Sequence, residues 1–423
     1  MTHSYKIHIS VITALMITST FFNATAKSKP AILDSPLSLQ AGINISRAQT
    51  FFGQGEITKA IATLESFVCP NATQKTSKGC AHPYLFFTLG NFYAALGKET
   101  TTNTDISKAN KKAVQNYKSA LKASAEFSEA WINLAAVCHT EGLHNEAANA
   151  FEKGYLFEDT PKAVHLYYAA VCYFQANNSL KALELFTMLE RRHPDQITLA
   201  WKEVLVHVLF SLDRHKDALF HIETLANNPW PDKSGDRQKK WKEILVNQYL
   251  SLDMDKKALA YSKKLTRNDP LEPKWWKALS HVHLKHNQLK NGLSSLVVYS
   301  FLSPLTPDEK MLAADLYFSL NVPAKAADLY ESLVTENQDH LKKTPLKKLI
   351  QARTMAHDPD AAIKWIEAAL VDQTKQHTLT KKEIKELTTL KQQLIQIKKF
   401  YAAADQVLSP SLVKLHNATF EKE

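Results

Sequence analysis

One small residue returns along this chain at a nearly fixed interval: Ala60, Ala113, Ala147, Ala182, Ala218, Ala258, Gly292, Ala326 and Ala362. The successive spacings are 53, 34, 35, 36, 40, 34, 34 and 36 residues. A period near 34 is too long for one helix and too short for a domain. Each period is therefore one supersecondary unit that cannot bury its apolar face alone and must stack on its neighbours. A small side chain at a fixed place in every unit marks the point where two helices cross closely.

The neighbours of each small residue repeat with it. In the clearest unit, from His165 to Pro194, Leu166, Ala169, Ala170 and Tyr173 lie at helical spacing. Ala182, Phe186 and Leu189 form a second helical set, and Pro194 ends it. The preceding unit has Trp131, Leu134, Ala135, Gly142, Ala147 and Phe151, and an earlier one has Leu89, Gly90, Phe92, Tyr93, Ala113, Tyr117 and Ala120. Later units continue the pattern as far as Leu349, Ala356, Ala362 and Ile366, which makes nine in all. Only 10 Gly and 16 Pro occur in 423 residues, and few stretches alternate with period two. The class is all-α.

Both long spacings contain polar or turn-forming sequence. The tract from Lys98 to Asp105 reads as a loop inside the second unit, with the insertion spanning 98–110. Cys69 to Cys80 reads as a segment between units, and the stretch from Trp230 to Asp236 as a turn-rich insertion over 230–239. Near the C-terminus, Thr380 and Glu383 form a capping-box pattern ahead of a long helix reaching about Ala404. Residues 406–423 are expected to be loose.

These units resemble the tetratricopeptide repeat over roughly residues 36–405. The resemblance implies a right-handed superhelical solenoid of about nine helix-turn-helix units, closed by a C-terminal capping helix. It also implies a protein or peptide ligand held in a concave groove lined by the first helix of each unit. Tyr299 to Pro307, followed by Ala313-Ala314-Asp315-Leu316-Tyr317 and Pro323-Ala324-Lys325-Ala326-Ala327, is similar to a narrower group. Those are exported repeat proteins that accompany TonB–ExbB–ExbD energy-transduction systems, and the likeness implies an accessory role in uptake. A cell-wall or outer-membrane assembly factor is the alternative within the same class.

The N-terminus carries a targeting pattern. Lys6 precedes an uncharged, largely apolar run from Ile7 to Phe22, and Ala24-Thr25-Ala26 follows as a signal-peptidase site. The expected signal peptide is 1–26, the mature chain starts at Lys27, and 27–35 form a flexible lead. The run is shorter than the roughly 20 residues that span a bilayer. The expected location is outside the cytoplasm, in a Gram-negative periplasm. In such a compartment Cys69 and Cys80, flanking a loop-forming stretch, are expected to form a disulfide. Cys138 and Cys172 occupy nearly equivalent places on adjacent first helices and read as buried thiols, a second bridge being the alternative.

The net charge is +10, from 52 Lys and Arg against 42 Asp and Glu. The lysines run along the whole chain, and the densest tract, 381–399, is interleaved with Glu383 and Glu386. This reads as a solvated helix surface, with no nucleic-acid partner. No glycine-rich phosphate loop or nucleophile elbow occurs, so neither a cofactor nor catalysis is expected. An enzyme or carrier with a solenoid-lined pocket is the rival reading. His281 and His283 lie roughly 200° apart on a helix and cannot share a metal. Helical spacing places Phe87, Asn91, Ile132, His139, Tyr167, Phe174, His207, Phe210, Asn247, Lys277, His281, Asp315 and Phe318 on the concave face. Tyr167, Phe174 and Phe210 are expected to form one aromatic strip, because Ala169, Ala170, Tyr173, Leu205 and Leu209 already serve the packing.

Overall fold

The structure is a computed structural model that describes residues 37–69, 79–231, 234–336, 343–376 and 380–420. The expected signal peptide, the mature N-terminus at Lys27 and the lead 27–35 lie outside them. The chain divides into two compact blocks, Met1–Pro231 and Asp232–Glu423. All regular secondary structure among the described residues is helical, with no strand.

In the first block five helix pairs follow one another: α1 (Leu39–Gly53) with α2 (Ile57–Glu65), α3 (Pro83–Glu99) with α4 (Asn103–Ala123), α5 (Ser128–Thr140) with α6 (His144–Phe157), α7 (Ala163–Gln175) with α8 (Ser179–Arg192), and α9 (Leu199–Ser211) with α10 (His215–Asn227). The second block holds four more: α11 (Asp236–Ser251) with α12 (Asp255–Asn268), α13 (Pro273–Lys285) with α14 (Leu289–Leu302), α15 (Pro307–Ser319) with α16 (Pro323–Glu336), and α17 (Lys343–Met355) with α18 (Pro359–Gln376). A last helix, α19 (Lys381–Phe420), packs on α18. Nine repeats were expected from the small-residue ruler, and nine pairs are seen among the described residues.

Every ruler residue sits on a second helix and is buried, the eight alanines completely. Gly292 shows why the position is small. A Cβ built there would lie 2.5 Å from Leu284 Cδ2 and 2.7 Å from Leu284 Cγ, both on the first helix of the same pair. Larger side chains would hold the helices apart and lose the contacts that close packing provides.

A second ruler accompanies the first. In eight of the nine pairs the residue five places before the small one has a positive φ, between 54° and 80°. These are Gly55, Gly142, Asn177, Asp213, Asp253, Asn287, Asn321 and His357. In each case the next N–H donates to a carbonyl five residues back, at 2.8–3.0 Å. That 6→1 bond, with a left-handed residue at the helix end, is a Schellman closure. It ends the first helix and reverses the chain into the second.

The second pair is the exception and corrects the loop expected from Lys98 to Asp105. There α3 runs through Glu99 and α4 begins at Asn103. Thr102 caps α4, its hydroxyl accepting from the Asp105 N–H at 3.2 Å. The extra residues lengthen the helices and leave only a short link. The turn-rich stretch before Asp236 does separate two helices, with Gly235 in the left-handed region. At the C-terminus the predicted capping box is present: Thr380 N–H donates to Glu383 at 2.8 Å, and Glu383 N–H to the Thr380 hydroxyl at 3.2 Å. The helix it starts passes Ala404 and continues to Phe420. Pro410 removes one backbone bond without ending it. Leu387, Leu390 and buried Leu394 seat α19 against a core that includes Ile350, Leu349 and Ile366.

Candidate protein-binding face

Counting back from the small residue of each repeat places the candidate side chains in three rows along the first helices. Fifteen places back stand Ile132, Tyr167 and Lys277. Eleven back stand His207, Asn247, His281 and Asp315. Eight back stand His139, Phe174, Phe210 and Phe318. The structure treats the rows differently, and each block is taken separately.

In the first block the row nearest the helix N-termini is consumed by packing. Tyr167 is only 3% exposed and stacks parallel on Trp201 of α9, with ring centroids 4.5 Å apart and planes 7° apart. It also meets Phe186 edge-on. This corrects the expectation that Tyr167 stands free for a ligand: Trp201 of the next repeat covers it. Ile132 is buried too, close enough to Gly154 of α6 that a Cβ there would lie 2.7 Å from Ile132 Cγ1. Phe87 is half-buried against Phe127, 4.8 Å between centroids. Asn91 accepts two hydrogen bonds at its Oδ1, from Tyr117 Oη at 2.8 Å and from Asn133 Nδ2 at 2.8 Å. It ties α3, α4 and α5 together, and that oxygen is engaged within the fold.

The rows nearer the helix C-termini stay open. His139, Phe174 and Phe210 hold the same register on α5, α7 and α9, and each is half-buried. His139 Nε2 and Gln175 Oε1 are 3.1 Å apart, which bridges α5 to α7. Burial holds the His139 pKa below the ordinary imidazole value. Phe210 lies 5.2 Å from the His215 ring. His207, one turn back on α9, is half-buried as well. Phe52 of α1 occupies the same eight-back register, stacked on Phe92 at 4.8 Å and still 37% exposed. Phe52 is not among the expected residues, although it lies eight places before Ala60.

The second block offers a polar counterpart. Lys239 of α11 pairs with Glu272 at 2.6 Å, Lys277 of α13 with Glu309 at 2.6 Å, and Lys348 of α17 with Asp315 at 2.5 Å. Each pair joins neighbouring repeats. Tyr330 also donates to Asp315, at 2.5 Å. Burial pushes the Glu309 carboxyl up, but the Lys277 ammonium and the Thr306 N–H outweigh it and leave it below the usual carboxylate range. Lys277 is raised in turn, chiefly by Glu309. Lys277 and Asp315 are thus engaged in the fold, while Asn247 and His281 remain exposed. Phe318 is half-buried and packs against the core of α16 and α17. His283 is buried and its Nδ1 lies 2.7 Å from Gln288 Oε1, so the two histidines do face apart.

Cys69 and Cys80 face each other with Cα atoms 5.3 Å apart, a separation that a disulfide spans. Cys138 and Cys172 are buried thiols. Burial pushes them up to about 11 and about 12 respectively, which keeps them protonated and unreactive at neutral pH. Among the described residues no group of three His, Cys, Asp or Glu side chains could hold a metal ion. No helix there is long and apolar enough to cross a membrane.

Among curated proteins no sequence matches this chain. Several solved structures are similar. A tetratricopeptide repeat protein from Parabacteroides merdae is 14% identical, over 74% of this chain and 98% of that one, with a TM-score of 0.32. A structure of Naa15/Naa10 bound to HypK-THB is 14% identical, over 86% and 56%, with a TM-score of 0.42. The P58(IPK) TPR domain is 13% identical, over 84% and 98%, with a TM-score of 0.23. Two family models, both described as tetratricopeptide repeat, match residues 110–164 and 166–195. The stretch that carries Ala113, Ala147 and Ala182, with its closely packed helix pairs, thus consists of tetratricopeptide repeats.

Proposed function

We propose that this chain is an exported, non-catalytic scaffold that holds a protein or peptide ligand against α5, α7 and α9. The observation that carries this is the row of His139, Phe174 and Phe210: three half-buried rings at one register of three successive first helices. Aromatic side chains with part of their surface already ordered lose little entropy on binding and dominate interface energies.

Export is supported by the signal pattern in the first 26 residues and by the Cys69–Cys80 geometry, which suits a disulfide formed in an oxidising compartment. The envelope partner we favour is machinery of the TonB type, on the strength of the sequence likeness at 299–327. The experiment is capture from periplasmic and membrane extracts with the mature chain, beside the Phe174→Ala/Phe210→Ala double variant. Loss of a specific partner with an unchanged melting temperature supports the reading. Equal capture by both proteins sinks the aromatic row as the site, and a captured set without TonB-type components removes that partner.

A further inference from the structure

Part of the positive charge of the second block lines one side of α12. Residues 232–290 hold fourteen Lys and Arg against seven Asp and Glu. On α12 the side turned inward carries Ala258, Ser262, Leu265 and Thr266, all buried. The opposite side carries Lys256, Lys263 and Arg267, which at 100° per residue fall within about 40° of one another. All three are exposed, and so are Ala260 between them and Lys264 beside them. The stripe runs about 16 Å along the helix.

The nearby carboxylates do not neutralise it. Asp253 and Asp255 are taken by Lys285 of α13, at 2.9 and 3.5 Å. Glu272 is taken by Lys239. Among the described residues, Lys256, Lys263, Lys264 and Arg267 make no ion pair. Half-buried Lys242 of α11 feels the crowding: burial, then Lys239 and Lys264, hold its pKa below the ordinary lysine value against the pull of Asp269.

The next second helix extends the surface and adds a different ingredient. Two places before the small residue, α14 repeats Lys256 with Lys290, also exposed. Nine places after it, where α12 has Arg267, α14 has Phe301, 84% exposed. Leu271, four residues past Arg267, is 76% exposed. Neither outward row contains an acid at these registers; by contrast, α16 places Asp328 and Glu331 there, both bonded to Arg353.

We propose that the outward face of α12 and α14 docks on an anionic phospholipid surface. Cations along one side of a helix, with exposed bulky apolar side chains at Leu271 and Phe301, suit a headgroup layer: the cations would meet lipid phosphates, while Leu271 and Phe301 would reach the acyl boundary. Lipids rearrange under a flat face, so no groove is needed. An acidic peptide would be held better by a cleft than by the outer side of a helix. Single-stranded nucleic acid needs a run of stacking rings, and this face has only Phe301.

The test is sedimentation of the mature chain with vesicles of phosphatidylcholine, with and without phosphatidylglycerol. Binding should require phosphatidylglycerol and weaken as salt rises. At about 1 kcal/mol per cation, K256Q/K263Q/R267Q should partition about a hundredfold more weakly, while K111Q/K122Q/K216Q in the first block should match the parent. L271S/F301S should lower the binding that survives at raised salt. The proposal is overturned if anionic vesicles are not bound, or if the two triple variants weaken binding equally. It is also overturned if polyglutamate or single-stranded DNA is bound through Lys256, Lys263 and Arg267 and excludes the vesicles. Circular dichroism of each variant must match the parent, as expected for exposed positions.

Discussion

Replacing Gly292 by Ala tests the packing logic of the repeat, because two effects of known sign oppose each other there. In the interior of α14, Gly→Ala lowers backbone entropy loss and favours the helix by about 1 kcal/mol. Against that, the new Cβ would lie 2.5 Å from Leu284 Cδ2 and 2.7 Å from Leu284 Cγ. Ser280 O, at 3.5 Å, is an ordinary contact, and the bond from Ser280 Oγ to Gly292 O at 2.8 Å can remain. Leu284 must therefore move, at the 1–3 kcal/mol typical of overpacking. The net expectation is destabilisation by about 1 kcal/mol. Removing the obstacle should reverse the sign: in a Leu284→Ala background, Gly292→Ala should stabilise by about 1 kcal/mol. Urea unfolding followed by the fluorescence of Trp275, buried in the same repeat, measures both steps. If Gly292→Ala stabilises the unmodified protein as much as it stabilises the Leu284→Ala variant, the two residues are not coupled and the steric reading of the ruler is refuted.

Three further outcomes are expected. Tyr167→Ala should lose about 3–5 kcal/mol of stability by emptying the space against Trp201 and Phe186, a large fall in thermal melting that Phe174→Ala should not reproduce. At the left-handed position of the seventh repeat, Asn287→Val should destabilise by about 1–2 kcal/mol and Asn287→Gly should not, as read by urea titration. Glu309 has a folded pKa below its unfolded one, so its contribution is present at neutral pH and declines as pH falls below about 4.3; Glu309→Gln should flatten that acid limb in melts across pH.

The architecture was legible because it is written as a period. Burial of a small residue at one register in nine successive pairs needs no knowledge of partners; it follows from helices that cross closely once per repeat. The chain reversals were equally readable, five places earlier, in Gly, Asn and Asp, the residues that tolerate a positive φ; His357 alone breaks that code. Polarity alone made Lys98 to Asp105 look like a loop, although Thr102 and Asp105 spell a helix start.

Exposure was the part that spacing could not supply. Tyr167 and Phe174 sit on the same helix, two turns apart and on nearly the same side, yet one is buried and the other half-open. The difference comes from α9: Trp201 reaches back over Tyr167, while among the described residues no ring stacks on half-buried Phe174. A register fixes the direction in which a side chain leaves its helix. Whether solvent or a neighbouring repeat meets it depends on the length of a side chain some 34 residues away. The same holds for charge. Lys277 and Lys256 are both lysines on one block, but Glu309 of the following repeat takes the first and no carboxylate reaches the second. A binding face in such a protein is therefore what remains after each repeat has satisfied its neighbour, and it is found by subtracting those contacts from the periodic pattern.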